Sequence, residues 1–121
     1  MKTIEMISIP VKDQEQAKEF YTEKAGFDLI YEGCTPDNRK WIQVGLPGNS
    51  VSFTLVSGEE HAAPGTLKGT IILTDDIARE TEILQSNGID TERILELPFG
   101  KISSFQDPDG NQWVLKEAPQ N

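Results

Sequence analysis

One cysteine and one histidine are all that the 121-residue sequence holds of the side chains most used to bind transition metals. A single cysteine, Cys34, excludes an internal disulfide, so the fold must rest on burial alone and suits a reducing compartment. Cys34 also has no histidine or basic neighbour in sequence to activate it, and reads as a small core or edge residue. Basic residues are scarce too: 11 Lys and Arg against 20 Asp and Glu leave a formal charge of −9. That charge repels phosphate backbones and anionic lipid, and no basic stripe interrupts it, so neither nucleic acid nor a membrane is expected as a partner. No apolar run approaches the roughly 18 residues that a membrane span needs. No basic, apolar, small-residue leader opens the chain, and the expected location is the cytoplasm. Nucleophile chemistry is equally thin, because Ser103 and Ser104 have no elbow glycines around them and the one histidine, His61, stands far off in an acidic stretch. Gly45-Leu46-Pro47-Gly48 is followed by no helix and is therefore a turn, not a phosphate cradle.

The remaining composition, 36% hydrophobic and 26% charged, is that of an ordinary globular chain, of a length that buries roughly two-thirds of its unfolded surface. Periodicity gives the order of elements. TIEMISIPV reads as a strand, and KDQEQAKEFYTEKAGF as a helix with Ala17, Phe20, Tyr21 and Lys24 at helical spacing and Gly26 as its stop. FDLIYEGC, KWIQVGL and SVSFTLV read as three strands parted by TPDN and PGN turns. After the polar, breaker-rich GEEHAAPG the order resumes: LKGTIILT as a strand, DDIARETEILQSNG as a helix capped at Asp75-Asp76, IDTERILE as a strand, and KISSFQ with NQWVLKE as a hairpin. Its turn, Asp107-Pro108-Asp109-Gly110, combines a residue that presets φ, a carboxylate that bonds its own backbone and a glycine for positive φ. Gly26-Phe27-Asp28 matches Gly88-Ile89-Asp90 at a separation of 62, Pro47 matches Pro108 at 61, and Asn49 matches Asn111 at 62. Separations near half the chain length argue for duplication: module one at residues 1–57, a linker at 58–66 and module two at 67–118 of a single domain. The fold class that follows is α+β, two tandem β-α-β-β-β modules whose curved sheets form a cup, with a helix on the outer face of each.

Phe20-Tyr21 ahead of Gly26-Phe27, the stretch from Phe105 through Asp107-Pro108-Asp109-Gly110-Asn111 to Trp113, and the repeated order together resemble the vicinal oxygen chelate superfamily, over nearly the whole chain. This is the glyoxalase, bleomycin resistance protein and dioxygenase group. In its metal-dependent members the resemblance implies four His or Glu ligand positions, on the first and last strands of each module. Carried over, they fall on Met6, on Thr70, on Val114, and on Ser52 or, with a two-residue shift, Thr54. A thioether, hydroxyls and an isopropyl group do not hold a catalytic divalent ion, so neither metal nor cofactor is expected. Glu59, Glu60 and His61 are neighbours on one loop, without the convergence such a site needs.

With Trp113 and Leu115 placed under the helices, alternation assigns Met6, Ser8, Trp41, Gln43, Ser52 and Thr54 of module one to the cup. It assigns Thr70, Ile72, Lys101, Ser103, Phe105, Gln112 and Val114 of module two to the same lining, and Ile7, Ile9, Phe53, Leu55, Ile71 and Leu73 to the helix-side core. Such a mixture of aromatics, hydroxyls and amides suits a small molecule, with Trp41 stacking a flat ligand and Lys101 meeting an anionic group. Three classes of function stay open. One is a metal-free small-molecule binder similar to the drug-sequestering resistance proteins. Another is an enzyme, either a glyoxalase-like lyase or isomerase with a non-standard site or a metal-independent activity using Lys101. The third is an interaction module whose cup a protein partner closes. The absent ligands favour a binder of an unidentified small molecule, with no catalytic residue, and the resemblance implies a homodimer.

Overall fold

In the computed structural model, which describes residues 1–48 and 51–120, one module runs β1 (Met6–Pro10), α1 (Gln14–Glu19), β2 (Asp28–Cys34), β3 (Lys40–Gly45) and β4 (Ser52–Val56). The other runs β5 (Thr70–Thr74), α2 (Ile77–Ser86), β6 (Leu95–Leu97), β7 (Gly100–Gln106) and β8 (Gln112–Glu117). Asn49, whose match to Asn111 supports the repeat, and Ser50 lie outside the described residues. The two sheets have the same order, β1-β4-β3-β2 and β5-β8-β7-β6. In each, the first strand pairs parallel with the last and the other pairs are antiparallel. This is the α+β architecture the sequence predicts.

Local chemistry explains the helices. Asp13 caps α1 by accepting from Gln16 N at 3.1 Å, and Asp76 caps α2 by accepting from Arg79 N at 3.1 Å, so free N–H groups meet carboxylates at both starts. Past Glu19 the first helix widens into a π-helical turn over Phe20–Lys24, and Phe20 and Tyr21, though adjacent, are both buried. The strand expected over IDTERILE shrinks to Leu95–Leu97. Ser103 Oγ donates to Glu92 O at 2.6 Å, taking a carbonyl that a longer ladder would use.

Trp113 centres the core. Its ring meets Phe53 at 5.0 Å, Phe27 at 5.2 Å and Tyr21 at 5.9 Å edge-on, and stacks with Phe105 at 6.5 Å. Three of those four partners belong to the other module, so the helix-side faces of both sheets share one core. Each large apolar side chain buried there contributes about 1.5–3 kcal/mol. A polar latch runs through it. Asp107 accepts from Tyr21 Oη at 2.7 Å, from Asn111 Nδ2 at 2.8 Å, and from the amides of Asp109 and Asn111 at 2.9 Å. Asn111 in turn donates to Pro10 O at 2.9 Å and accepts from Leu67 N at 3.0 Å. The turn at the end of the chain therefore fastens module two to the first strand and first helix of module one, and holds the start of its own module at Leu67.

Strand pairing decides the faces, and it corrects part of the sequence reading. In module one Thr54 is flanked by Ser8 and Gln43; in module two Val114 is flanked by Ile71 and Ser104. Partners across a ladder share a face, so Ile71 and Ser104 line the cup side. Thr70, Lys101, Ser103 and Phe105 pair with Trp113, Glu117, Leu115 and Trp113, on the helix side. Ile72 goes with them, and Ile71 and Leu73 leave the expected core for the cup face, 60% and 70% exposed. The reason is parity: Thr54 to Val114 is 60 positions, but Gln43 to Ser104 is 61 and Ser8 to Ile71 is 63. An odd change of spacing turns a whole strand over.

Candidate functional site

The cup face of module one carries Met6, Ser8, Trp41, Gln43, Ser52 and Thr54 as expected, together with Tyr31, which the sequence reading did not include. A β-bulge between Leu29 and Tyr31 sets the latter opposite Gln43. Its ring folds over Gly33 and leaves no room there for a Cβ. Gly33 pairs with Trp41, so the glycine admits a second ring beside the tryptophan. Of the nine aromatics in the chain, six lie in the core; Tyr31, Trp41 and Phe99 are left outside, 54%, 36% and 55% exposed. The hydroxyls and amide of this face satisfy one another, with Ser8 Oγ 3.3 Å from Thr54 Oγ1 and Gln43 Nε2 donating to Ser52 Oγ at 2.8 Å.

Trp41 and Thr54 reach a cavity of about 520 Å³ whose lining includes Glu60 and His61 of the linker. Arg39 bonds Glu60 at 2.6 Å and Asp37 at 3.2 Å, and His61 lies 3.7 Å from Glu60. Hydrogen bonding to its own amide and the Arg39 charge lower the Glu60 carboxyl. Lys40, on the same wall, is held by Glu15 at 2.7 Å. The Glu15 carboxyl is lowered to about 2 by its bonds to Lys40 and then Lys18. These cations are therefore committed to internal pairs. His61 is exposed at the rim rather than in either sheet.

The second cavity, about 550 Å³, lies against module two and is walled by Val114, Gln112, Ser104, Ile102, Leu95 and Arg93. Val114 and Gln112 stand where the sequence placed them. Ser103 touches this wall from the helix-side face, but its hydroxyl is donated to Glu92 O. Phe105 is buried against Trp113. Lys101 is 3.9 Å from both Glu96 and Glu117, on the face away from the cup. No alternation pattern marks Arg93, which precedes a strand of only three residues. The first cavity lies at the end of its sheet and takes lining from both faces, Trp41 and Thr54 on the cup side and Gln14, Ile42 and Leu55 on the helix side, whereas the second is lined by module two alone.

The ligand positions implied by the resemblance do not fit a metal. Met6, Ser52 and Thr54 face the cup in module one and Ile71 and Val114 in module two, whereas Thr70 faces the helices. A thioether, two hydroxyls and two aliphatic groups supply no anionic or imidazole donor. Among the described residues no three His, Cys, Asp or Glu side chains gather in a metal-binding group.

Residues 3–115 match the glyoxalase/bleomycin resistance protein/dioxygenase superfamily. The chain belongs to that superfamily. It is similar to the structure of TnmS3, an antibiotic binding protein from Streptomyces sp. CB03234, with 34% identity, a TM-score of 0.91 and 98% of both chains covered. A glyoxalase/bleomycin resistance protein from the same Streptomyces strain is 36% identical with a TM-score of 0.83, over 94% of this chain and 99% of that one. Among sequences, the YetH protein of Bacillus subtilis (strain 168) is 28% identical over 97% of this chain and 99% of its own length. Superfamily membership fixes the two-module scaffold; what is bound or transformed depends on the side chains of the cup.

Proposed function

We propose that the protein is a metal-free binder of a small planar molecule, held unchanged in the cup, and that two copies close that cup. The observation that carries this reading is the chemistry of the cup-face positions Met6, Ser52, Thr54, Ile71 and Val114. None of them takes up a divalent ion or moves a proton near neutral pH. What the cup offers is exposed aromatic and apolar surface edged by hydrogen-bonding groups, the make-up of a small-molecule pocket. The antibiotic binding of TnmS3, at 34% identity over 98% of the chain, supports binding of that kind here.

The cup faces look outward from the shared core, and neither cavity joins the two. A twofold partner would lay module one of one copy over module two of the other and close two equivalent cups. No helix among the described residues is long and apolar enough to cross a membrane. The unpaired, exposed Cys34 supports a reducing cytoplasm as the setting.

The test is a thermal-shift screen of planar aromatic compounds, followed by mass spectrometry of each hit after long incubation. A saturable rise in Tm with the compound recovered unchanged is expected, the rise corresponding to about 2.7 kcal/mol at a hundredfold excess over Kd. Zn²⁺ and Ni²⁺ should leave Tm unmoved. Product formed beyond one equivalent per chain, or saturable stabilisation by either metal, overturns the reading.

A further inference from the structure

The two halves of the cup differ in one respect. In module one the polar side chains of the sheet bond each other, and the cations at the mouth are paired with Asp37, Glu60 and Glu15. In module two Arg93, Ser104 and Gln112 line a single cavity. Among the described residues none of these three side chains has a hydrogen-bond partner, and no carboxylate lies within the 4.0 Å of an ion pair from Arg93. The walls between them are apolar, formed by Val114, Ile102 and Leu95. Glu92 is the one carboxylate on the wall; it is exposed and forms no ion pair with Arg93. A second cation, Lys116, stands on the same face two positions beyond Val114, with its ammonium 5.6 Å from the centre of the Phe99 ring. The chain carries a charge of −9, yet this half of its cup presents two cations outside any ion pair among the described residues, with Glu92 the one carboxylate on the wall beside them.

We infer that the module-two half of the cup is an anion-recognising subsite and that the ligand is a planar aromatic acid. This rests on the binding reading above and names its ligand class. A guanidinium is charged at every accessible pH and offers a planar fork that matches a carboxylate with two parallel bonds. Ser104 and Gln112 supply further donors within the same cavity, whose 550 Å³ falls in the range of about 300–1,000 Å³ usual for small-molecule sites. Arg93 and Leu95 are exposed in the single chain, and the apolar walls would shield the ionic contact from water once the second copy covers them. The ring system of the ligand then lies against Trp41 and Tyr31 of the second copy that closes the cup. Lys101, which the sequence suggests for this task, is on the wrong face; Arg93 takes its place.

The experiment uses matched probes, naphthalene-2-carboxylate and anthracene-2-carboxylate against their neutral carboxamides, titrated into the full-length protein. The parent should bind each acid about tenfold or more tightly than its amide, the size of one charge-assisted hydrogen bond. Arg93→Gln should bring the acid to the affinity of the amide and leave amide binding unchanged, and Arg93→Lys should retain part of the preference. Glu92→Gln should sharpen it. If acids and amides bind the parent equally, or Arg93→Gln discriminates as well as the parent, the inference is overturned while the binding reading stands. If no probe binds in either form, the planar-ligand reading falls and the inference falls with it.

Discussion

Tyr21 links two modules through one hydroxyl. It donates to Asp107 Oδ2 at 2.7 Å and accepts from Trp113 Nε1 at 3.0 Å. Burial, and after it the Asp107 carboxylate, push the phenol far above its ordinary value. A proton held more tightly in the folded state stabilises the fold at every pH below the unfolded value of about 10 and is lost progressively above it. Stability should therefore fall as pH rises past about 10. Tyr21→Phe should remove that part of the decline and destabilise by about 1–3 kcal/mol at neutral pH, because it strands the buried indole N–H of Trp113 and leaves Asp107 Oδ2 with Asn111 Nδ2 as its remaining donor. Urea unfolding at pH 7 and at pH 10.5 and above measures both; an alkaline slope as steep in the variant as in the parent contradicts the assignment. On the cup face, Trp41→Ala should weaken planar ligands by roughly 1–3 kcal/mol and leave the unfolding midpoint within experimental error, since its ring is outside the core.

At the scale of elements, the turn that closes the β7–β8 hairpin is also the joint between modules. Asp107 N donates to Asn111 O at 2.9 Å to close the turn, and Lys12 N donates to Asp109 Oδ1 at 3.1 Å from the other module. The linker passes directly beneath: Gly65, at φ +82°, bonds Pro10 O at 3.3 Å, and a Cβ there would sit on the Asp109 carbonyl. Gly26 has nearly the same φ, +85°, but open space around it. Gly26→Ala should thus lose only the backbone preference, about 1–2 kcal/mol. Gly65→Ala should lose that and a further 1–3 kcal/mol or so of steric displacement. Denaturant unfolding of the two variants compares them directly; equal losses would show that the linker yields without disturbing the turn.

For the whole molecule, the arrangement about the shared core leaves Ile71 and Leu73 on one outward face and Tyr31 and Trp41 on the other. Apolar surface of this kind on a strongly acidic chain calls for a specific cover rather than general adhesion. Light scattering should give a particle of twice 13.5 kDa at micromolar concentration. Leu73→Asp should halve it and weaken ligand binding in the same step, because each cup would lose its second wall. A monomeric parent that binds planar ligands with full affinity would show that one module suffices.

The sequence by itself determined the order of elements, the repeat, the superfamily and the kinds of side chain that the cup carries at Met6 and Val114. Those features are written locally: helical spacing at Ala17, Phe20 and Tyr21, the carboxylate and glycine of the turn from Asp107 to Gly110, the side-chain types at Met6 and Val114. It also placed Trp41, Gln43, Ser52, Thr54 and Val114 on the face where they stand, since KWIQVGL, SVSFTLV and NQWVLKE all alternate. Only the tertiary structure decided the faces of β5 and β7. In β5, Ile71, Ile72 and Leu73 are three consecutive apolar residues, so a period of two has nothing to report. In β7 the alternation is real, but its sign depends on which residue of β8 lies opposite. That pairing is a contact between chain segments, absent from either segment alone, and a shift of one residue exchanges Lys101, Ser103 and Phe105 for Ile102 and Ser104. A further contact of the same kind, β6 and Glu92 N against β7, delivers Arg93, from a stretch without periodicity, to the wall of the cup.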